Sequence, residues 1–194
     1  AFSGGAVKVD DVGDLPLRKL KGGMKLTILS PDTDKLTKLV PKWEKECEEA
    51  GLKPGIDAMI TEAAGLEPFG GRPNVEKLVG NRLEPDKTLP NGSSIALLAE
   101  YDGIRVLLGA DAHLDRLTAS VQQLADAEGG KLALDAFKLP HHGSSGNLSR
   151  ALLELIKCPR YLISTNGSYF RHPTAEAIAR ILKFGGPAKT LHFN

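Results

Sequence analysis

The stretch KLPHHGSS, residues 138–145, closes an apolar run that begins at Leu132 and ends in two histidines and a loop of small residues. Earlier in the chain, the stretch LLGADAH, residues 107–113, closes a second apolar run that begins at Ile104. Each run has the length of a buried strand and stops at residue types that bind metals. This pattern predicts an α/β fold with a metal site on the loops at one edge of a sheet.

The size and composition of the chain limit what it can be. Its 194 residues are 41% hydrophobic and 25% charged, with a net charge of +1, which is typical of one soluble globular domain spanning residues 1–194. A net charge this close to zero gives no strong electrostatic field that would favour binding to nucleic acid or to an anionic membrane. No apolar run approaches the roughly 20 residues of a membrane span. Cys47 and Cys158 are the only cysteines, so we expect no disulfide framework and a cytoplasmic location.

The second half of the chain alternates strands with helices. Asp102-Gly103 is typical of a hairpin turn, Thr174 of a helix N-cap, and Pro41 of the first turn of a helix that ends at Gly51. Residues 53–91 are weakly patterned. The predicted strands are 24–29, 95–101, 104–108, 132–139, 161–164 and 189–193. The predicted helices are 33–39, 41–51, 57–64, 74–78, 113–127, 148–157 and 174–184.

Asp111 and His141 are the two residues that the pattern marks as metal ligands. Imidazole and carboxylate groups together suit Zn²⁺ and related divalent metals. A carboxylate can also bridge two metals, and a two-metal site positions a water for attack on a phosphate or a carbonyl. Asp111 taken alone fits a helix N-cap, but taken together with His141 it favours the metal site.

The remaining histidines have weaker patterns. His142 fits either a structural contact or a hydrogen bond to a ligand or a substrate oxygen. His172 follows a strand predicted to end at the same edge, which favours a place in the site over a solvated loop. His113 fits an exposed or capping position, and His192 fits a structural position on a strand. The small-residue loop 143–146 is either a plain connection or a set of N–H groups that holds an anion.

These motifs together resemble the C-terminal half of metallo-β-lactamase-fold hydrolases, most closely the ComEC-like soluble domains and related stand-alone hydrolases. The resemblance covers roughly residues 91–194 and is specific in both order and spacing. The motifs that carry it are NGSSI at 91–95, LLGAD at 107–111, HHGS at 141–144 and His172-Pro173.

The resemblance implies an αββα sandwich, of which this chain would supply mainly the C-terminal half. It implies that Asp111 bridges two metal ions and that His141 ligates one of them, the metals being Zn²⁺ or alternatively Mn²⁺. His142 and His172 would line the substrate side, stabilising charge on the substrate or protonating the leaving group. The expected substrate is a phosphodiester, such as nucleic acid, or a related ester, rather than a β-lactam.

One element of that family's pattern is missing. Its first metal ligands come from a His-x-His-x-Asp-His motif in the N-terminal half, whereas this chain has no histidine before His113. We therefore expect the chain to be the later part of a longer hydrolase, with the N-terminal half as its main partner. The alternative is a non-catalytic scaffold or interaction domain that kept the fold and lost the metal site.

The short ligand set leads to a prediction for the isolated chain. With only Asp111 and His141 as assigned ligands, it should bind Zn²⁺ weakly and show no hydrolase activity, because structural Zn²⁺ sites take four ligands and catalytic sites about three plus water. Isothermal titration with Zn²⁺ and a phosphodiesterase assay measure the two properties. A complete two-metal centre formed by this chain alone would contradict the half-domain interpretation.

Overall fold

The computed structural model describes residues 7–10, 12–49, 73–165 and 171–194, and these form a mixed α/β fold. None of the helices in these ranges is long and apolar enough to cross a lipid bilayer. The predicted helix at 57–64 lies outside the described residues. The elements of the first half are β1 (Leu17–Lys19), β2 (Lys25–Ile28), α1 (Thr33–Glu49), α2 (Val75–Gly80), α3 (Leu89–Gly92), β3 (Leu97–Tyr101) and β4 (Ile104–Leu108).

The second half alternates more regularly between strand and helix. Its elements are α4 (Leu114–Ala127), β5 (Leu132–Ala133), β6 (Ala136–Lys138), α5 (Arg150–Glu154), β7 (Ile156–Lys157), β8 (Arg160–Ile163), α6 (Ala175–Phe184) and β9 (Thr190–Phe193). Two short 3₁₀ turns, Pro140–Gly143 and Ser145–Asn147, lie between β6 and α5.

Within the described ranges, seven strands form one mixed sheet in the order β1-β2-β3-β4-β6-β8-β9. The pairs from β1 to β4 are antiparallel, and the pairs from β4 through β6 and β8 to β9 are parallel. The hairpin between β3 and β4 turns at Asp102 and Gly103, with φ of 48° and 76°. Two successive positive φ values are those of the turn that suits a tight hairpin, so the predicted hairpin is confirmed.

The core lies on one face of this sheet. Alternate strand residues point to this face, and Leu107, Phe137 and Tyr161 are completely buried there. They belong to one apolar cluster with Leu117 of α4 and Ile181 of α6. Helices α4, α5 and α6 therefore cover this side of the sheet, and they hold the parallel strands in register.

The opposite face of the sheet is apolar but not covered by any of the described elements. Tyr101, Ile104 and Leu108 alternate with the core residues, and 54%, 53% and 38% of their surfaces are exposed. Val106 and Ala136 lie between them in the β4–β6 register and are only partly buried. A sheet normally buries its apolar face against a second layer, so this face has the composition expected of a surface that packs against such a layer.

Several predicted elements are confirmed. β4 has the predicted bounds, β2, β3, β8 and β9 differ from theirs by one or two residues at either end, and the predicted cap of α6 is present, since the Thr174 hydroxyl accepts from the N–H of Ala177 at 3.3 Å. Asp32 caps α1 by accepting from the N–H of Lys35 at 2.9 Å. These features were predictable because caps, turns and strand alternation are set by neighbouring residues.

Other predictions were wrong. The two helices expected on either side of Pro41 are one helix, α1, with Pro41 inside it. An interior proline removes one hydrogen bond and either kinks or breaks a helix, and here the helix continues past it. The strand expected at 132–139 is two strands: β5 pairs with β7 in a separate two-stranded sheet, whereas the N–H of Asp135 donates to the carbonyl of Arg105 in β4 and β6 joins the large sheet. The helix expected at 148–157 ends at Glu154, where β7 begins, and neither β1 nor β7 was predicted.

The uncovered face predicts self-association of the isolated chain. Ile104→Lys should reduce it, because a charge at the centre of an apolar patch resists burial. Val40→Lys is the matched control: Val40 is also β-branched and 54% exposed, but it lies on α1. Sedimentation velocity over a range of concentrations measures the effect. Equal behaviour of the two variants would show that the sheet face does not drive association.

Candidate functional site

The predicted site residues meet where the parallel strands end. In parallel sheets the carboxyl ends of neighbouring strands lie at the same edge, and binding sites form in the loops that follow. The loop after β4 carries Asp111 and the loop after β6 carries His141 and His142. His172 stands before α6, the helix that follows β8. The sheet topology therefore brings these residues to one edge, as the sequence predicted.

The imidazole rings of this cluster are close together. The ring centres of His141 and His172 are 5.0 Å apart, and those of His141 and His142 are 6.3 Å apart. Burial lowers the pKa of His172, the two neighbouring imidazoles lower it further, and the carboxylate of Asp111 opposes the shift. Because His141, His142 and Asp111 each affect the pKa of His172, the four side chains lie close enough to interact electrostatically. The lowered pKa keeps His172 neutral near pH 7.

The backbone around the cluster is held in a rarely occupied conformation. Ala110, His141, His142 and Arg171 have φ of 46°, 43°, 55° and 53°. Residues with a Cβ seldom adopt these values, and such residues gather at functional sites, where the surrounding structure holds them in place. The strain therefore marks these three loops as constrained.

Close packing explains how the loops keep this conformation. The N–H of His141 donates to the carbonyl of Ala110 at 2.7 Å, which links the loop after β4 to the loop after β6. A Cβ on Gly109 would lie 2.8 Å from the backbone nitrogen of Pro140, and a Cβ on Gly143 would lie 2.8 Å from the Cβ of Pro173. Only glycine allows the three loops to approach this closely.

Asp86 is the nearest charged partner of His141. Its Oδ2 lies 3.1 Å from Nδ1 of His141, and it also accepts from the Asn91 amide at 2.7 Å and from the N–H of Thr88 at 2.9 Å. Burial would raise the pKa of Asp86, but the hydrogen bonds from Asn91 and Thr88 and the contact with His141 outweigh it and lower that pKa to about 2. Asp86 is therefore a fixed carboxylate at neutral pH.

Asn147 is the second partner of His141 and is completely buried. Its Oδ1 lies 3.2 Å from Nδ1 of His141, and its Nδ2 donates to the carbonyl of Ala112 at 3.0 Å. The buried Arg180 of α6 holds the same loop by donating to the carbonyls of Ser145 and Leu148 at 2.6 and 2.9 Å. The loop after β6 is thus tied to both α6 and the loop after β4.

Asp111 does not cap the following helix. α4 begins at Leu114 and its N-cap position is His113, so the capping interpretation of Asp111 is wrong. Asp111 is half-buried, and its charge acts on Lys138: burial lowers the pKa of Lys138, and Asp111 opposes that shift. An Asp that is not used in a cap keeps its oxygens for another ligand.

The other histidines differ in what they contact. His142 is exposed, and its Nδ1 lies 2.5 Å from the carbonyl oxygen of Ser164, so this nitrogen carries a proton and donates it. His113 stands at the N-cap position of α4 without a side-chain cap bond, and its Nε2 lies 2.8 Å from the carbonyl oxygen of Thr88. His192 is exposed on β9. The sequence interpretation gave His113 an exposed or capping position and His192 a position on a strand, and the structure agrees with both.

The small-residue loop 143–146 does not present an open anion site. The N–H of Gly146 donates to the hydroxyl of Ser144 at 3.3 Å, and a Cβ on Gly146 would lie 2.7 Å from the carbonyl of Glu84. The N–H of Ser144 donates to the carbonyl of His141 at 2.9 Å. These N–H groups are used within the protein, which supports the interpretation of this loop as a connection.

The donor set fits part of a metal site. Within ranges 7–10, 12–49, 73–165 and 171–194, no group of three or more His, Cys, Asp or Glu residues is arranged to hold a metal ion. Imidazole and carboxylate are nevertheless the ligands that Zn²⁺ and Mn²⁺ accept, and His141 has the carboxylate partner typical of metal-binding histidines. The types of donor fit these metals, whereas the donors among the described residues are too few for a complete site.

Comparison with known proteins adds no relative to this description. No family model, no curated protein and no solved structure matches the chain at a significant level. The assignment of the site therefore depends on the residues themselves and on their geometry.

The sequence did not mark several residues of the site. Asp86 and Asn91 fall in the weakly patterned region before β3; Asn91 opens the NGSSI motif at 91–95 but was assigned no contact with His141, and Asp86 belongs to no motif. Lys138 begins the motif at 138–145 and Asn147 lies two residues after it, but neither was assigned a role. The first two became neighbours of His141 only through folding, while the last two could have been suspected from their position beside the histidines.

The buried amide leads to a stability prediction. Asn147→Ala should lower the free energy of unfolding by about 1–3 kcal/mol, because it leaves the buried carbonyl of Ala112 without its donor and Nδ1 of His141 with Asp86 alone. Asn81→Ala is the control, since Asn81 is exposed and bonds to Glu176 on the surface; its effect should stay within about 0.5 kcal/mol. Urea unfolding followed by circular dichroism measures both. Equal losses would argue against a special role of Asn147.

Proposed function

We propose that this protein is a metal-dependent hydrolase of the metallo-β-lactamase superfamily that acts on phosphodiester or related ester bonds. The observation that supports the proposal most strongly is the meeting of Asp111, His141, His142 and His172 at the ends of parallel strands, in loops held under backbone strain. The uncovered apolar face of the sheet is what one half of an αββα sandwich would present to its other half.

Asp111 and His141 would hold the metal, and the missing ligands would come from the proposed N-terminal half. When bound, Zn²⁺ or Mn²⁺ lowers the pKa of a water molecule and orients it for attack on phosphorus or carbon. Asp111 suits this role because its carboxylate is not used as a helix cap. His141 suits it because one of its ring nitrogens is held by Asp86 and Asn147.

His142 and His172 would act on the substrate side. His142 is exposed and donates from Nδ1 to the carbonyl of Ser164, so its Nε2 can accept a proton or, in the protonated ring, donate to a substrate oxygen. His172 is half-buried, and its lowered pKa keeps it neutral near pH 7, so it can accept a proton in the reaction.

A substrate with charged oxygens suits the hydrogen-bond donors at the site. Lys138 is half-buried at the end of β6, next to the loop with His141 and His142; burial lowers its pKa, and the carboxylate of Asp111 opposes that shift. The Lys138 ammonium and an imidazole N–H can donate to negatively charged oxygens, as a phosphodiester has. A neutral β-lactam ring would gain less from these donors.

Metal analysis of three variants tests the proposal. In the full-length protein, Asp111→Ala and His141→Ala should each lower the metal content and abolish hydrolysis of bis(p-nitrophenyl) phosphate, because each removes an assigned ligand. His113→Ala is the matched control and should leave both properties nearly unchanged, since His113 is assigned no ligand role and its Nε2 lies against the carbonyl of Thr88. Mass spectrometry of bound metal and a colorimetric assay provide the two measurements.

Two results would overturn the proposal. Full metal occupancy in His141→Ala would mean that the metal site is elsewhere. A wild-type protein that binds neither Zn²⁺ nor Mn²⁺ and hydrolyses no phosphodiester would favour the alternative, a scaffold or interaction domain that kept the fold without the chemistry.

A further inference from the structure

Asp86 contacts His141 from a segment that no sequence motif connects to the site. We propose that Asp86 is a positioning residue that holds His141 in the tautomer with the proton on Nδ1, so that Nε2 is the nitrogen that binds the metal. The consequence for the metal rests on the proposed function, whereas the tautomer of His141 is a property of the protein alone.

The first step concerns the atoms that face Nδ1 of His141. Asp86 places Oδ2 at 3.1 Å and Asn147 places Oδ1 at 3.2 Å from this nitrogen. Both atoms accept hydrogen bonds, and a carboxylate oxygen of an ionised Asp can only accept. A ring nitrogen that faces two acceptors must carry the proton, which leaves the lone pair of the neutral imidazole on Nε2.

The second step concerns the orientation of the Asn147 amide, whose oxygen and nitrogen could in principle be exchanged. Its Nδ2 donates to the carbonyl of Ala112 at 3.0 Å and lies 3.5 Å from the carbonyl of Asp111. Reversing the amide would turn its oxygen toward these two carbonyl oxygens and lose both contacts. The orientation is therefore fixed, and Asn147 presents an acceptor to His141.

The third step concerns Asn91, whose Nδ2 lies 3.5 Å from Nδ1 of His141. The same Nδ2 donates to Oδ2 of Asp86 at 2.7 Å, so the amide of Asn91 and the Nδ1–H of His141 lie side by side as two donors to one oxygen. A carboxylate oxygen can accept both. The long distance between the two donors is thus a consequence of sharing Asp86 and not a hydrogen bond between them.

The fourth step concerns how firmly Asp86 is held. Only 8% of its side chain is exposed, and its other oxygen accepts from the N–H and the hydroxyl of Thr88, both at 2.9 Å. The carboxylate is therefore set in place before any ligand arrives. Fixed carboxylate partners of this kind orient metal-binding histidines and raise the basicity of the nitrogen that binds.

Nuclear magnetic resonance tests the tautomer without any metal. Long-range ¹H–¹⁵N spectra of the metal-free 194-residue chain should show the Nδ1–H form of His141, assigned by its absence in His141→Gln. Asp86→Asn should shift His141 toward the Nε2–H form, because it removes the charge and adds a competing donor. Asp86→Ala is a second variant, and dispersed amide spectra show that each variant is folded. Asp115→Asn is the matched control, since Asp115 pairs with Lys35 instead of His141.

Titration of the full-length protein with Zn²⁺ tests the consequence for the metal, because only Asp111 and His141 of the 194-residue chain are assigned as ligands. The dissociation constant should rise by about 10- to 100-fold in Asp86→Asn and stay unchanged in Asp115→Asn. If wild type binds Zn²⁺ and Asp86→Asn changes neither tautomer nor affinity, the positioning role of Asp86 is overturned and the proposed function stands. If no Zn²⁺ binds but the tautomer depends on Asp86, the proposed function fails and the positioning role is supported. Loss of binding without a change of tautomer would make Asp86 a ligand, which overturns the inference.

Discussion

The parallel pairing of β4, β6 and β8 is the constraint on which the rest of the structure depends. Leu107 pairs with Phe137, and Phe137 with Tyr161, and all three are fully buried beneath the helices. This register places the loops after the three strands at one edge of the sheet. The candidate site exists only because these loops meet. The loop after β4 carries one of the four assigned side chains, Asp111, and the loop after β6 carries two, His141 and His142.

The site is held together by backbone packing and by buried polar groups. Non-glycine residues with positive φ cost ~1–3 kcal/mol each, and they persist only where the surroundings fix them. Here Asn147 and Arg180 satisfy the loop carbonyls, and Gly109 and Gly143 allow the loops to touch. The stability of the core thus offsets the strain of the loops, which favours a site that is rigid before it binds anything.

The same sheet relates the fold to the proposed function. One face is buried under helices, whereas the other exposes Tyr101, Ile104 and Leu108 in a continuous apolar row. A layer packed on this face would bury that row, and in the proposed αββα arrangement it would also supply the metal ligands that Asp111 and His141 need beside them. The uncovered sheet face and the short set of metal ligands would then both result from the absence of that layer.

The sequence by itself determined the features that depend on near neighbours. These are β4 and its hairpin, the Thr174 cap of α6, the placement of Asp111 and His141 just after strands, and that of His172 just before a helix, because turns, caps and strand alternation are set within a few residues. Only the tertiary structure decided that residues 132–139 divide between two sheets and that Asp86 meets His141. Both depend on contacts between residues far apart in the chain, and a local sequence pattern does not show which distant residue supplies a hydrogen bond.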